Sequence, residues 1–195
     1  MNMLVFYNFI ILIKIKMAKR IFDFVFSIIA LILLLPLIFI LILIATIDTK
    51  SFGVFFQKRV GQNGHLFYIY KIKTYRSNIP TKFGDFLRRT KLDELPQLLN
   101  VLFGKMSFVG PRPDIVGYYD LLEGEYKKIL KLKPGITSLA SLKYENEEAI
   151  LALQENPQFY NDKTIFPDKI RMNLDYYYNN STFGDIKIII KTIFR

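Results

Sequence analysis

Residues 24–47 read FVFSIIALILLLPLIFILILIATI, a stretch without a formal charge that is dominated by Leu, Ile, Val and Phe. At a helical rise of about 1.5 Å per residue it is long enough to cross a hydrocarbon core of about 30 Å, so a membrane helix is the first reading. Pro36 lies in its middle, where it removes a backbone donor and favours a kink. Each half would then measure about 18 Å, too short to cross and suited to a hairpin-like dip into one leaflet. The flanks agree with such a dip. Lys14, Lys16, Lys19 and Arg20 precede the run and Lys50, Lys58 and Arg59 follow it, so the positive-inside rule draws both ends to the cytoplasm. Asp23 at the entrance suits an interface, paired with Lys19 or Arg20. A single-pass anchor with a proline kink is the alternative. No convincing small-residue cleavage site follows Ile47, so the segment is expected to be retained. Met1–Ile15 reads as an amphipathic prefix or an over-extended start, with Met17 a second candidate for initiation.

The rest of the composition bounds the chemistry. The 195 residues suffice for one modest domain with a usable core. There is no cysteine and His65 is the only histidine, which excludes a clustered His/Cys zinc site and leaves carboxylates to hold any hard cation. The net charge of +10 implies an anionic partner: nucleic acid, anionic lipid or a phosphorylated substrate. No recognition-helix or RNA-binding signature accompanies it, so a nucleic-acid partner is not expected.

Downstream of the run, Val54–Val60 and Leu66–Arg76 are rich in β-branched and aromatic residues around Gly61-Gln62-Asn63-Gly64, predicting a hairpin. Strand alternation puts Lys71 and Lys73 on one face of the second strand. A short helix is predicted over Phe83–Arg89, and another over Asp93–Phe103 with Asp93 as N-cap, Pro96 at N3 and Gly104 closing it. Pro111-Arg112-Pro113 and Pro134-Gly135 are rigid loops, and helices are predicted over Asp114–Leu132 and Asn146–Gln154. Near the C-terminus Ile186, Ile189, Ile190, Ile193 and Phe194 cluster on one side of a helix, with Lys187 and Lys191 opposite. That pattern fits a membrane-interface helix or a core-packing one. His65 reads as a turn residue and Tyr176–Tyr178 as a packing or interfacial belt.

Asp93-Glu94 is the candidate reactive pair. Adjacent acids are ordinarily a solvated surface feature, and Glu147-Glu148 is a second such pair. Asp93-Glu94, however, precedes an apolar run at an expected helix N-terminus, where a carboxylate stays ionised. Arg88 and Arg89 lie just before it. With Arg112 and the hairpin lysines these could converge on a diphosphate, guanidinium groups gripping phosphate oxygens. Mg²⁺ binds through one or two carboxylates plus substrate phosphates, so a lone acid pair suffices for it. An aspartate can attack phosphorus to give an acyl phosphate while a second acid holds the metal.

Leu92-Asp93-Glu94-Leu95-Pro96-Gln97-Leu98-Leu99-Asn100-Val101-Leu102 and Met106-Ser107-Phe108-Val109-Gly110-Pro111-Arg112-Pro113 closely resemble motifs of the bacterial sugar transferases, the monotopic phosphoglycosyl transferases. Lys19-Arg20-Ile21-Phe22-Asp23, Gln57-Lys58-Arg59-Val60-Gly61, Tyr70-Lys71-Ile72-Lys73-Thr74 and Lys133-Pro134-Gly135-Ile136-Thr137 extend the resemblance over roughly 17–195. It implies an α-rich α+β fold: a proline-broken re-entrant N-terminal membrane helix, a short β-hairpin and a compact helical catalytic domain lying on the membrane surface. The division expected is a poorly defined prefix over 1–17, the membrane helix over 18–50 and a cytoplasmic catalytic domain with interfacial helices over 51–195. The resemblance also implies transfer of a phosphosugar from a UDP-sugar to undecaprenyl phosphate at the bacterial inner membrane, with Mg²⁺. Asp93 would be the nucleophile and Glu94 the metal ligand beside it. Arg88 and Arg112 match phosphate-holding positions, and Arg59 and Lys73 belong around the same site. The partners implied are those two substrates and inner-membrane lipids, with assembly into a homo-oligomer left open. An inactive homologue acting as a membrane scaffold is the competing expectation. The sequence departs from the family pattern at Leu35, where Ser usually precedes the proline, at Lys73, usually Arg, and at Ser138, usually Gly.

Overall fold

A computed structural model describes residues 3–194, with side chains from Met17 onward; the amphipathic reading of Met1–Ile15 lies outside those side chains. Helix α1, Met3–Thr49, is one element with Pro36 inside it, so the break expected at Pro36 is not seen as an interruption of the helix. A helix can carry an internal proline when only one backbone bond is lost and its surroundings compensate. Burial along α1 follows a stripe. Asp23, Ser27, Ile38, Leu41, Ala45 and Thr49 are buried, the half-exposed Ala30 and Leu34 fill the gap in the same helical phase, and most positions between face outward. Asp23, Leu34 and Ala45 are eleven residues apart, as are Ser27 and Ile38, and a period of about 3.67 keeps one face of a helix aligned over its whole length.

Both ends of the apolar run are fastened to the domain that follows. At the first end, Arg20 donates to Val101 O and Leu102 O, both at 2.8 Å. Asp23 Oδ1 accepts from Ser107 Oγ and Phe108 N, both at 3.1 Å. Lys19 pairs with Asp185 and donates to Val109 O at 3.1 Å. At the second end, Leu41 and Ala45 pack with Ile72 and Leu87. There Gly53 N donates to Thr46 Oγ1 at 3.0 Å, and a Cβ on Gly53 would lie 2.3 Å from Ile42 O. The chain after α1 therefore folds back onto the helix at a spacing only glycine permits.

The predicted hairpin is present: β1, Val54–Val60, pairs antiparallel with β2, Leu66–Ile72, Val60 opposite Leu66. β2 ends at Ile72, short of Arg76, although Lys73 N still donates to Gly53 O at 2.8 Å in the register of the Val54–Ile72 pair. The next residues form a tight two-strand ladder, β3, Tyr75–Arg76, with β4, Ile79–Pro80; Ser77 and Asn78 between them have φ of 50° and 64°, as a type I′ turn requires. Helix α2, Lys82–Arg89, is capped by Thr81, whose Oγ1 accepts from Gly84 N at 2.9 Å.

The helix expected over Asp93–Phe103 begins later. Lys91 is left-handed at φ 57°, Leu92–Glu94 form a 3-10 turn, and α3 runs Gln97–Leu102 with Pro96 as its N-cap. Asn100 then acts as a third strand against β2: its Oδ1 accepts from Tyr70 N at 3.2 Å and its Nδ2 donates to Tyr68 O at 2.7 Å. The short strands β5, Ser107–Val109, and β6, Gly135–Thr137, pair in parallel. A Cβ on Gly135 would lie 2.1 Å from Gly110 N, so two backbones cross there in contact.

The predicted helix over Asp114–Leu132 is not formed. Gly117 and Gly124 adopt φ of 103° and 55°, which a right-handed helix does not contain, and only 3-10 turns at Tyr119–Leu121 and Tyr126–Lys131 remain. Helices α4, Leu139–Lys143, α5, Glu147–Ala152, α6, Pro157–Tyr160, and α7, Phe166–Asn179, follow. Ser138 caps α4 by accepting from Ser141 N at 2.9 Å. The last helix, α8, spans Thr182–Ile193. It buries Asp185 and Ile188 and exposes Ile186, Ile190, Ile193 and Phe194, so the apolar cluster predicted there is not core.

Candidate active site

Asp93 and Glu94 lie on the turn between α2 and α3, and both are buried, Asp93 at 5% exposure. β2 lies beneath them because Asn100 stitches α3 to that strand. Lys71 on β2 donates from Nζ to Glu94 Oε1 at 3.1 Å and sits 3.9 Å from Asp93 Oδ2. The loop after β5 brings Arg112, whose Nη2 reaches Glu94 Oε1 at 2.5 Å and whose Nη1 reaches Oε2 at 3.3 Å. This guanidinium fork is the bidentate arrangement that suits a carboxylate. Glu94 is thus gripped by two cations, whereas Asp93 Oδ1 is buried with no hydrogen-bond partner.

The two acids differ sharply in proton affinity. Burial, and then the charge of Glu94, push Asp93 up to about 6 against the partial opposition of Lys71. Burial opposes ionisation of Glu94 too, but Arg112 and Lys71 outweigh it and hold that carboxyl down at about 2. Asp93 does not sit at the N-terminus of a regular helix, so the helix-end stabilisation expected for its charge is absent. At neutral pH it is still predominantly a carboxylate.

A cavity of about 970 Å³ opens over the pair, lined near it by Lys71, Arg88, Lys91 and Arg112. The structure places the expected phosphate-binding residues in different relations to this space. Arg112 is in it and bound to Glu94. Arg88 is in it, held by Glu148 through Nη2 at 2.5 and 2.7 Å and by the Tyr75 hydroxyl. Arg59 stands behind the wall, its Nη2 on Gln57 Oε1 at 2.7 Å and its Nη1 3.9 Å from Asp114. Lys73 is outside, donating to Ser51 Oγ at 2.7 Å. Lys73, one residue past the end of β2, turns to Ser51, and Lys71 occupies the place beside the acids. Sequence reasoning did not foresee the far wall, where Glu147 pairs with Lys169 at 2.6 Å. These residues lie on separate helices, and only the weak hint of the Glu147-Glu148 pair marked them.

Among the described residues no three His, Cys, Asp or Glu side chains gather as a metal cluster. The buried, partnerless Asp93 Oδ1 next to a second carboxylate is a donor set that a hard divalent cation accepts when substrate oxygens complete it. The residues therefore fit Mg²⁺ as a shared ligand of protein and substrate.

An apolar helix laid along a small α+β domain, with cations around an acid pair at a large cavity, is an arrangement that can accommodate an anionic ligand. The chain belongs to the bacterial sugar transferase family, whose sequence profile matches residues 14–195. It is 33% identical over 199 residues to the UDP-glucose:undecaprenyl-phosphate glucose-1-phosphate transferase of Escherichia coli K12, covering 92% of this chain and 40% of that protein. It is 30% identical over 207 residues to the exopolysaccharide production protein ExoY of Rhizobium meliloti, covering 91% of this chain and 84% of that one. A galactosyl transferase, CpsE, of Streptococcus agalactiae is 32% identical over 166 residues, covering 72% of this chain and 34% of that protein. The chain thus spans about two fifths of the Escherichia coli relative's length.

Proposed function

We propose that this chain transfers a sugar 1-phosphate from a UDP-sugar to undecaprenyl phosphate, yielding undecaprenyl-diphosphate-sugar and UMP, as the first membrane step in assembling a polysaccharide or glycoconjugate. The observation that carries this is the division of labour between adjacent acids. Asp93 keeps a partnerless oxygen and a raised proton affinity, hence greater basicity, while Glu94 is fixed as an anion by Arg112 and Lys71. Two titratable groups pushed apart in this way mark separate roles.

In the first step a carboxylate oxygen of Asp93 attacks the β-phosphorus of the donor. The bond from that phosphorus to the oxygen bridging the two phosphates breaks, and this oxygen leaves with its electron pair on UMP. A phosphate oxygen of undecaprenyl phosphate then attacks the same phosphorus, the acyl-phosphate bond breaks, and Asp93 is restored as a carboxylate. Arg112 and Lys71, beside the acids, are the cations that would meet the charge developing on the phosphoryl oxygens, and fixed cations in a shielded site stabilise it strongly. Arg88 must exchange Glu148 for a donor phosphate. Asp93 and Glu94 would hold Mg²⁺, which when bound neutralises phosphate charge and polarises the β-phosphoryl group.

The helix stripe bears on attachment to one side of the membrane. Contacts with one domain run along α1 from Lys19–Asp23 to Leu41–Thr46, about 27 Å between Asp23 and Leu41 at the helical rise, so the domain lies beside the apolar run along its inner stripe. Re-entry into the cytoplasmic leaflet of the inner membrane, with the exposed isoleucines of α8 at that interface, would require α1, continuous here through Pro36, to bend at that proline on meeting lipid.

The test is UMP release from a panel of UDP-sugars by membrane-embedded protein with undecaprenyl phosphate and Mg²⁺, alongside Asp93→Asn and Glu94→Gln. Release that needs the metal and both acids is expected. Release unchanged in Asp93→Asn, or none with any sugar from folded protein, would overturn the mechanism; the second result favours a scaffold role.

A further inference from the structure

The cavity over the acid pair is not uniformly polar. Away from Asp93 it is lined by Ala30 and Leu34 of α1, Ile136 and Ala140, and Ile189 and Ile193 of α8. Ala30 and Leu34 are one helical turn apart on the inner stripe, while Ile29, Ile32, Leu33 and Leu35 on the outer faces of the same turns are exposed. The apolar arm thus lies against the lipid-facing helix. Ala30 is the smallest side chain between Ile28 and Ile44, which leaves room at that point. Where polar atoms line the arm they are satisfied internally: Thr137 Oγ1 and Thr192 Oγ1 are 2.7 Å apart, and Thr192 also donates to Ile188 O at 2.8 Å. The wall thus has little need of water.

We infer that this arm, between α1 and α8, is the seat of the first isoprene units of the lipid acceptor, through which its phosphate is delivered to the phosphorylated Asp93. A space that is cationic at one end, apolar at the other and bounded by a lipid-exposed helix complements an isoprenoid phosphate, and a water-soluble acceptor would leave the apolar arm unmatched. This inference rests on the two-step transfer proposed above, and the two can fail separately.

The experiment uses Ala30→Trp, which fills the arm from α1, and Ile189→Trp, which fills it from α8, with Leu33→Trp on the outer face of α1 as control. UMP released in a single turnover without acceptor reports the donor step, and steady-state turnover with undecaprenyl phosphate reports both steps. Both arm variants should keep the donor burst while turnover falls by at least about tenfold, with a raised acceptor KM and an unchanged donor KM. The control should match the unaltered protein. Arm variants that turn over normally, or that lose burst and turnover in parallel while remaining folded, overturn the inference. An unaltered protein that turns over without giving a burst would instead overturn the two-step reading, and the acceptor-to-donor KM ratio would still test the arm.

Discussion

Asp93 concentrates the conflict between stability and chemistry in this site. Its folded proton affinity, at about 6, lies above the ordinary aspartate value of 3.8, so the folded protein binds the proton more tightly than the unfolded chain. Stability from this group is present below about pH 4 and is lost as pH rises towards 6. Asp93→Asn should therefore abolish turnover yet raise stability near neutral pH by about 1–3 kcal/mol, readable as a higher urea midpoint at unchanged slope. A midpoint at or below that of the unaltered protein would count against a destabilising buried charge at the proposed nucleophile. The acid limb of the rate profile should fall near pH 6, and Lys71→Met, which removes a cation that favours the charged form, should move that limb upward. A limb that stays in place would show that another group controls it. The acid pair, Arg112 and the presence of lysines on the hairpin were legible from residue types and spacing. Which lysine reaches the acids was not, because that depends on β2 ending at Ile72. The Arg88–Glu148 and Lys169–Glu147 pairings were hidden as well, since charge complementarity alone does not single out one partner among the chain's many ions.

At the scale of elements, the crossing of Gly110 and Gly135 sets where Arg112 stands. Gly135 N donates to Pro111 O at 2.8 Å and Gly110 N to Thr137 O at 3.0 Å, so the backbone on both sides of the contact is committed. Gly135→Ala would place a methyl group 2.1 Å from Gly110 N. It should destabilise the fold by about 2 kcal/mol or more and lower turnover further than stability alone explains. A thermal melt together with the rate at a temperature where both proteins are folded would separate the two effects. An alanine variant with unaltered rate would show that the loop holds Arg112 without the crossing. The hairpin, α2 and the terminal helix were readable because period and capping residues agreed with the final packing. The stretch between Asp114 and Leu132 was not, since Gly117 and Gly124 take positive φ that an isolated glycine in a helical pattern does not announce. The start of α3 was misplaced for a related reason: Lys91, a non-glycine residue, carries the left-handed conformation that sets the turn.

Across the whole molecule, α1 exposes apolar side chains on most of its circumference and meets protein on one line. Its composition fits a membrane helix, but composition did not reveal that Asp23, Ser27, Ile38, Leu41, Ala45 and Thr49 would lie buried in a single phase. That phase makes the segment sensitive to length as well as to hydrophobicity. One leucine inserted after Pro36 keeps the run fully apolar but rotates everything beyond it by about 100° relative to what precedes it. Leu41 and Ala45 would swing away from Leu87 and Ile72 while Arg20 and Asp23 stayed in place. Such a variant should still reach the membrane fraction yet lose turnover and protease resistance, whereas replacing an outer leucine with isoleucine should change neither. Membrane recovery with full activity would show that the stripe is not a fixed seam. An apolar helix with no packed face could be lengthened or reshuffled with little consequence; this one keeps count, and the tally runs in elevens from Asp23 through Leu34 to Ala45.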